Sequence, residues 1–202
     1  MLKLNLGSGQ NPMPGFINAD KEGTPEVKVD LESDAWPWGE NTVDEVVLNH
    51  VLEHIGALPE AFLYFMQELY RVCAHGALVR IAVPHPRHDH FLGDPTHVRP
   101  ITPEVLSLFS KANCKHWAKQ GAANSPLAVY LGVDFEIVEK RIVLEPKYLD
   151  GLKSGTWSAL QIDEFLRERN NVATEMRFVL RVVKQYIDVT TLGDTEHVEI
   201  AA

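Results

Sequence analysis

Five short, largely apolar runs recur through the first half of the chain: Leu2 to Leu6, Phe16 to Ala19, Val27 to Val29, Val43 to Leu48 and Ala77 to Val83. Read as continuous apolar runs rather than alternating ones, they suit strands covered on both faces in a parallel sheet. Helices then have to supply the covers. The strongest helical stripe is Phe62, Phe65, Met66, Leu69, Val72 and Cys73, with Pro59 in the first turn and Gly76 as its expected close. A second helix is expected over VLEHI (51–55), and a third from Thr102, a side-chain cap, followed by Pro103. Strand and helix in alternation predict an α/β fold.

The second half changes character. Phe135 to Leu144 and Thr174 to Lys184 read as long strands that alternate apolar and charged residues over part of their length. The helical segment SALQIDEFLRERN lies between them. Two late strands after a parallel series predict an antiparallel pair at one edge of the sheet. The expected architecture is a Rossmann-like sandwich with a mostly parallel seven-stranded sheet, an antiparallel edge strand and a shortened first helix. Residues 1–184 are expected to form one domain, followed by an acidic tail, 185–202.

Charge narrows the partners. A formal net charge of -9 over 202 residues disfavours a broad nucleic-acid surface, which needs clustered Lys and Arg. Cys73 and Cys114 form neither a CxxC pair nor a disulfide-like pattern, and no apolar run approaches the ~20 residues that span a bilayer. A cytoplasmic protein without a leader or membrane span is the expectation.

The chemistry starts at LNLGSG. Gly7 and Gly9 directly follow the first strand, where small residues let the backbone approach a ligand at the carboxyl edge of a sheet. Such a pair alone is often a plain turn. Asp20 and Asp30 end the next two strands and are expected at the same edge, where carboxylates accept hydrogen bonds from ribose hydroxyls or an adenine amino group. The intervening QNPMPG is too short for the helix that grips a pyrophosphate. A phosphate-free adenosine cofactor loses little by that absence.

With LNLGSG, the acid at Asp20, Asp30-Leu31, TVDEVVLNHVLEHI and ELYRVCAHGALVRIAVP on the page, the chain resembles the class I S-adenosylmethionine-dependent methyltransferases. The resemblance covers about residues 2–184 and is sharpest through Pro84. It implies that Gly7, Ser8 and Gly9 approach the methionine part of S-adenosylmethionine. It also implies that Asp20 takes the ribose, that Asp30 and Leu31 flank the adenine, and that Asn49 or His50 lies by the sulfonium end. Two departures stand out: the loop lacks a third glycine, and Ala74-His75 replace the usual Lys-Pro before Gly76.

PHPRHDHFLGDPTHVRPIT, which follows the fifth strand, is rich in histidine. His50, His88 and His97 are candidate bases, because imidazole has an unperturbed pKa of about 6.5. Asp89 and Asp94 are candidate orienting or substrate-binding acids, and Arg99 a candidate for an anionic substrate group. Each also has a plain reading: a loop hydrogen bond for the histidines, a turn at Asp94-Pro95-Thr96, a core role for Glu53 and His54. The spacing matches no short metal motif such as HExxH, and no metal ligand is assigned. Trp36 and Trp38 fit either a packing role beside an adenine or a hydrophobic lid. The leading expectation is methyl transfer to a small molecule, with a sugar or glycan-related hydroxyl as the candidate acceptor. Alternatives are a metal-dependent hydrolase using residues 85–99 and a binding module without transfer chemistry. The sequence leaves the oligomeric state open.

Overall fold

The first strand already separates two faces. In the computed structural model, which describes residues 1–184, Leu4 and Leu6 enter the core while Lys3 and Asn5 point the other way. Strands β1 (Leu2–Leu6), β2 (Ile17–Asp20), β3 (Val27–Lys28), β4 (Val43–Asn49), β5 (Cys73–Pro84), β6 (Phe135–Leu144) and β7 (Ala173–Val182) form one sheet in the order β3-β2-β1-β4-β5-β7-β6. The first five are mutually parallel, and β7 runs antiparallel to both β5 and β6. The expected antiparallel pair therefore closes one edge, with β6 outermost.

Register across the sheet makes the two faces explicit. Leu4, Val46, Val79, Leu180 and Ile137 lie in one row, and Leu6, Leu48, Ile81 and Phe178 in the next. Both rows belong to the main core. The opposite face carries Asn5, Val47, Arg80, Val179 and Glu139 in one row, and Lys3, Glu45, Leu78, Arg181 and Glu136 in another. There Glu45 bridges Lys3 at 2.8 Å and Arg80 at 2.7 Å, and Arg80, Arg177 and Arg181 are exposed. The expectation of strands covered on both faces is thus corrected. Charges that alternate with the apolar residues leave this second face open to solvent.

All helices among the described residues follow β4: α1 (Pro59–Val72), α2 (Asp89–Leu92), α3 (Pro103–Ser107), α4 (Lys111–Gln120), α5 (Leu127–Tyr130), α6 (Pro146–Lys153) and α7 (Ala159–Glu168). Helix α1 buries the expected Phe62, Phe65, Met66, Leu69 and Val72. It ends at Val72 rather than near Gly76. Strand β5 begins at once, and the pairing jumps from Val43 opposite Cys73 to Glu45 opposite Leu78, so Gly76 serves a bulge at φ 79°. Thr102 caps α3, and Ser158 with Gln161 forms a capping box on α7, as their sequences require. VLEHI is no α-helix. Its residues make two consecutive turns, His54 N–H to Val51 O and Ile55 N–H to Leu52 O. Between β1 and β2 there is likewise no helix, only the loop. The acidic tail lies outside the described residues. No helix among them is long and apolar enough to cross a membrane.

The WPW segment is a packed lid. Trp36 is buried against Phe65 with ring centroids 5.2 Å apart, and Glu68 and Arg71 clasp the segment's backbone. Glu68 accepts the Trp36 N–H at 3.0 Å and the Arg71 Nε–H at 2.6 Å, while Arg71 donates to the carbonyls of Trp36 and Trp38. Arg71 holds the Glu68 carboxyl below the usual range, against the upward pull of burial. A depressed folded pKa stabilises the fold above the unfolded value, about 4.3, and the effect fades as pH falls through the folded one. Glu68→Gln is therefore expected to cost about 2 kcal/mol at pH 7. In urea melts the gap to wild type should shrink by pH 3. An undiminished gap there would rule out the carboxylate charge as its source.

Candidate functional site

The carboxyl edge of the parallel strands holds a cleft, built first by the loop after β1. Gly7 turns at φ 67° and donates its N–H to Ala19 O at 2.8 Å; Gly9 turns at φ 50° and donates to Asp20 Oδ2 at 2.8 Å. Ser8 is buried and also reaches Ala19 O. A Cβ on Gly7 would stand 2.5 Å from Val51 Cγ2, so the chain needs glycine there for close approach as well as for its backbone angle. The rest of the loop is pinned without a helix. Buried Asn5 donates to Asn18 Oδ1 at 2.8 Å, and the same oxygen accepts the Met13 N–H at 2.7 Å. This amide pair explains how QNPMPG closes in so few residues.

Asp20 shapes this loop as well as facing the cleft. Its Oδ1 accepts the Glu22 N–H at 2.9 Å, so each oxygen already takes one backbone hydrogen bond and retains a lone pair for a ligand hydroxyl. Asp30 takes the Glu32 N–H on Oδ1 at 3.0 Å. Leu31 is buried beside it. Together Asp20, Asp30, Leu31, Val29, Val51 and His54 line a recess of about 210 Å³. A larger cavity of about 730 Å³ extends from Gly7 and Gly9 past Asn49 onto the open face of the sheet. The two meet at Gly7 and His50.

His50 is the most constrained of the predicted bases. Its backbone is left-handed at φ 57°, a conformation taken among the described non-glycine residues elsewhere only by Asn41 and Asn171. Asparagine and histidine take it more readily than most side chains, yet it still costs about 1–3 kcal/mol, strain that tends to persist at functional sites. The His50 N–H bonds Ala82 O at 2.8 Å and fixes the turn. Its ring lies between two acids, Nδ1 3.2 Å from Glu53 Oε1 and Nε2 3.0 Å from Glu175 Oε2. The Glu53 contact falls in ion-pair range without hydrogen-bond alignment, so it acts as proximity of charge. Glu53, and after it Glu175, raises the His50 pKa above its ordinary value, with burial opposing.

The other predicted residues stand away from both cavities. His88 is buried: Nε2 meets Glu145 Oε1 at 2.8 Å, and Nδ1 accepts the His90 N–H to cap α2. Asp89 is tied to Asn171 Nδ2 at 2.9 Å. Asp94 accepts the Thr96 N–H and hydroxyl, the turn its sequence announces. Arg99 donates to Gly56 O and lies over the Phe62 ring. His97 packs between Phe91 and His54. The histidine segment thus builds the loop behind the cleft.

The chain matches no family model and no curated protein sequence. Solved structures do match it. An S-adenosylmethionine-dependent methyltransferase from Archaeoglobus fulgidus superposes with a TM-score of 0.56 at 21% identity, over 89% of this chain and 85% of its own. One from Methanosarcina mazei gives 0.50 at 11% identity, over 91% and 92%. The 1,6-didemethyltoxoflavin-N1-methyltransferase of Burkholderia thailandensis, solved with 1,6-didemethyltoxoflavin and S-adenosylhomocysteine, gives 0.50 at 13% identity, over 91% and 71%. The fold is that of the class I S-adenosylmethionine-dependent methyltransferases.

Within this methyltransferase fold, sequence reasoning missed the far wall of the cleft. Arg177 and Arg141 come from the late strands and Arg80 from the exposed row of β5, while Glu175, also on β7, meets the cleft through its contact with His50. Because β7 is antiparallel, its first residues emerge at the carboxyl edge of β5, with Glu175 opposite Pro84. The signal was available in the alternation of TEMRFVLRV, but only once strand direction and neighbour were known.

Proposed function

We propose that the chain transfers a methyl group from S-adenosylmethionine to a hydroxyl of a small, polar, sugar-like acceptor. The observation that carries this reading is the convergence of the Gly7–Gly9 loop, Asp20, Asp30 and His50 on two joined cavities of one cleft. The smaller recess suits an adenosine: apolar Val29, Leu31 and Val51 for a base, and Asp20 for ribose hydroxyls. When bound, S-adenosylmethionine supplies an electrophilic methyl group on a sulfonium. The acidic edge formed by Asp20 and Asp30 tolerates that positive charge.

Acceptor chemistry falls to the larger cavity. Asn49, Arg80, Glu139, Arg141 and Arg177 offer donors and acceptors in the number a polyhydroxyl ligand needs. A hydroxyl entering beside His50 meets the Glu175 carboxylate, which accepts the His50 Nε2–H at 3.0 Å; the pair takes up the hydroxyl proton on that carboxylate while the cleft wall orients the oxygen.

Calorimetry with S-adenosylmethionine and S-adenosylhomocysteine tests the cofactor half. Both should bind wild type, and Asp20→Ala should weaken them about 10–100-fold, the loss of charge-assisted hydrogen bonds worth about 1.5–3 kcal/mol. Absence of binding to wild type would refute the reading. A methyl-transfer screen over sugar hydroxyls and amines then tests the acceptor half, and transfer only to amines would overturn the hydroxyl assignment.

A further inference from the structure

Glu53 is fully buried in the turn after β4, and neither of its carboxylate oxygens receives a hydrogen bond. A buried carboxylate without donors is costly unless a cation sits beside it. Arg99 makes no ion pair with Glu53 among the described residues: its Nη2 donates to Gly56 O at 2.9 Å and its guanidinium lies over the Phe62 ring, while its own buried Nε has no hydrogen-bond partner. Among the described residues, the only ion pair of Glu53 is with half-exposed His50.

Two histidines face the same point. Glu53 O accepts the N–H of Val98 at 2.8 Å and of Arg99 at 3.3 Å, drawing the loop after α2 against the turn and setting His97 beside His54. Their ring centroids are 4.6 Å apart, and one donor atom each from Glu53, His54 and His97 lies within 4.8 Å of the others.

The surrounding hydrogen bonds settle both tautomers. Thr96 gives its hydroxyl proton to Asp94 Oδ1 at 2.6 Å, so its oxygen accepts from His54 Nδ1 at 3.0 Å. His97 Nδ1 faces the Phe91 carbonyl at 2.9 Å, which only an N–H can satisfy. In the neutral form each ring therefore carries its proton on Nδ1, which leaves the Nε2 lone pair for a metal. That is how outer hydrogen bonds prepare histidines as metal ligands. Asp94 Oδ2, 3.8 Å from His97 Nε2, adds a second negative charge.

We propose that Glu53, His54 and His97 bind one divalent transition-metal ion of the zinc, cobalt or iron(II) type. Two imidazoles and one carboxylate are the donor set such ions prefer over magnesium or calcium, and they leave coordination positions for water. The ion clasps the turn after β4 to the loop after α2. Glu53-His54 and His97 are too far apart in sequence to form a short motif. The site does not rest on methyl transfer.

Titration of the metal-stripped full chain with Co²⁺, followed by visible absorption, reads the site without cofactor or acceptor. Wild type should bind one ion per chain with ligand-field bands, and Zn²⁺ should displace it. His97→Ala and Glu53→Gln should weaken Co²⁺ by more than about tenfold, and exposed His116→Ala should leave it unchanged. Should either core variant fail to fold, exposed Thr96→Ala, which removes the partner fixing the His54 tautomer, should still weaken Co²⁺ about tenfold. No stoichiometric binding by wild type, or unchanged affinity in His97→Ala or Thr96→Ala, would overturn the proposal. Cofactor calorimetry succeeds or fails separately, so neither result stands in for the other.

Discussion

His50→Ala is expected to reduce methyl transfer about 10²–10⁴-fold, the range for loss of a positioned proton-transfer group, while S-adenosylhomocysteine affinity changes by no more than about twofold. The asymmetry follows from position. His50 stands where the two cavities meet, and its Nε2 contacts Glu175 on the acceptor side. The left-handed backbone at φ 57° aims the ring there, so a variant that keeps the turn separates chemistry from folding. His50→Asn is that variant, because asparagine, like histidine, takes this conformation more readily than most residues. Its stability should match wild type, and its turnover should fall as far as that of His50→Ala. Glu175→Gln should show a comparable loss. If the two residues handle one proton together, the double variant should be scarcely worse than either single one. Initial rates at saturating cofactor measure all four. Full turnover in His50→Asn would remove the imidazole from the mechanism.

Much of this site was legible because strand ends announce themselves. A glycine pair after LNL and an aspartate after INA can project to only one edge once their strands are parallel, and Gly7, Asp20 and Asp30 do share that edge. The late antiparallel pair was equally legible from its length and alternation. What failed was local helix reasoning. VLEHI has helical spacing, yet five residues cannot offset the cost of nucleating a helix, and backbone bonds from Val98 and Arg99 to Glu53 O claim the turn instead. The open sheet face was missed for a related reason. LKLNL looked continuously apolar, although Lys3 and Asn5 both point away from the core.

The histidine segment was misweighted because residue type was read without partners. Imidazoles at a sheet's carboxyl edge invite catalytic roles, but His88 is occupied at both nitrogens, by Glu145 and by the His90 N–H. His97 and His54 gain meaning only beside Glu53, contributed by a segment more than forty positions away from His97. Sequence spacing cannot display a cluster that a turn and a distant loop assemble. The same limit hid Glu175, whose neighbour at His50 lies 125 positions away.

Gly7→Ala should be the most damaging single-methyl change in the cleft. The new Cβ would meet Val51 Cγ2 at 2.5 Å and Cγ1 at 3.1 Å, and the backbone at φ 67° adds strain of about 1–2 kcal/mol for any L side chain. Val51 is buried next to His50, so relief must come from the loop. Moving the loop pulls the Gly7 N–H from Ala19 O and the Gly9 N–H from Asp20. S-adenosylhomocysteine affinity is expected to fall by about 100-fold, and stability by about 2–3 kcal/mol. Gly9→Ala is the internal control: its Cβ meets nothing within 4 Å, so only the backbone strain at φ 50° remains. Its loss should be about tenfold or less. Adding Val51→Ala to Gly7→Ala removes the clash but not the strain, so affinity should recover part of the way, to about the level of Gly9→Ala. Calorimetry and urea melts on the four proteins decide the matter. Equal affinities for Gly7→Ala and Gly9→Ala would show that close approach of the Gly7 backbone to Val51 is not what shapes the cofactor recess.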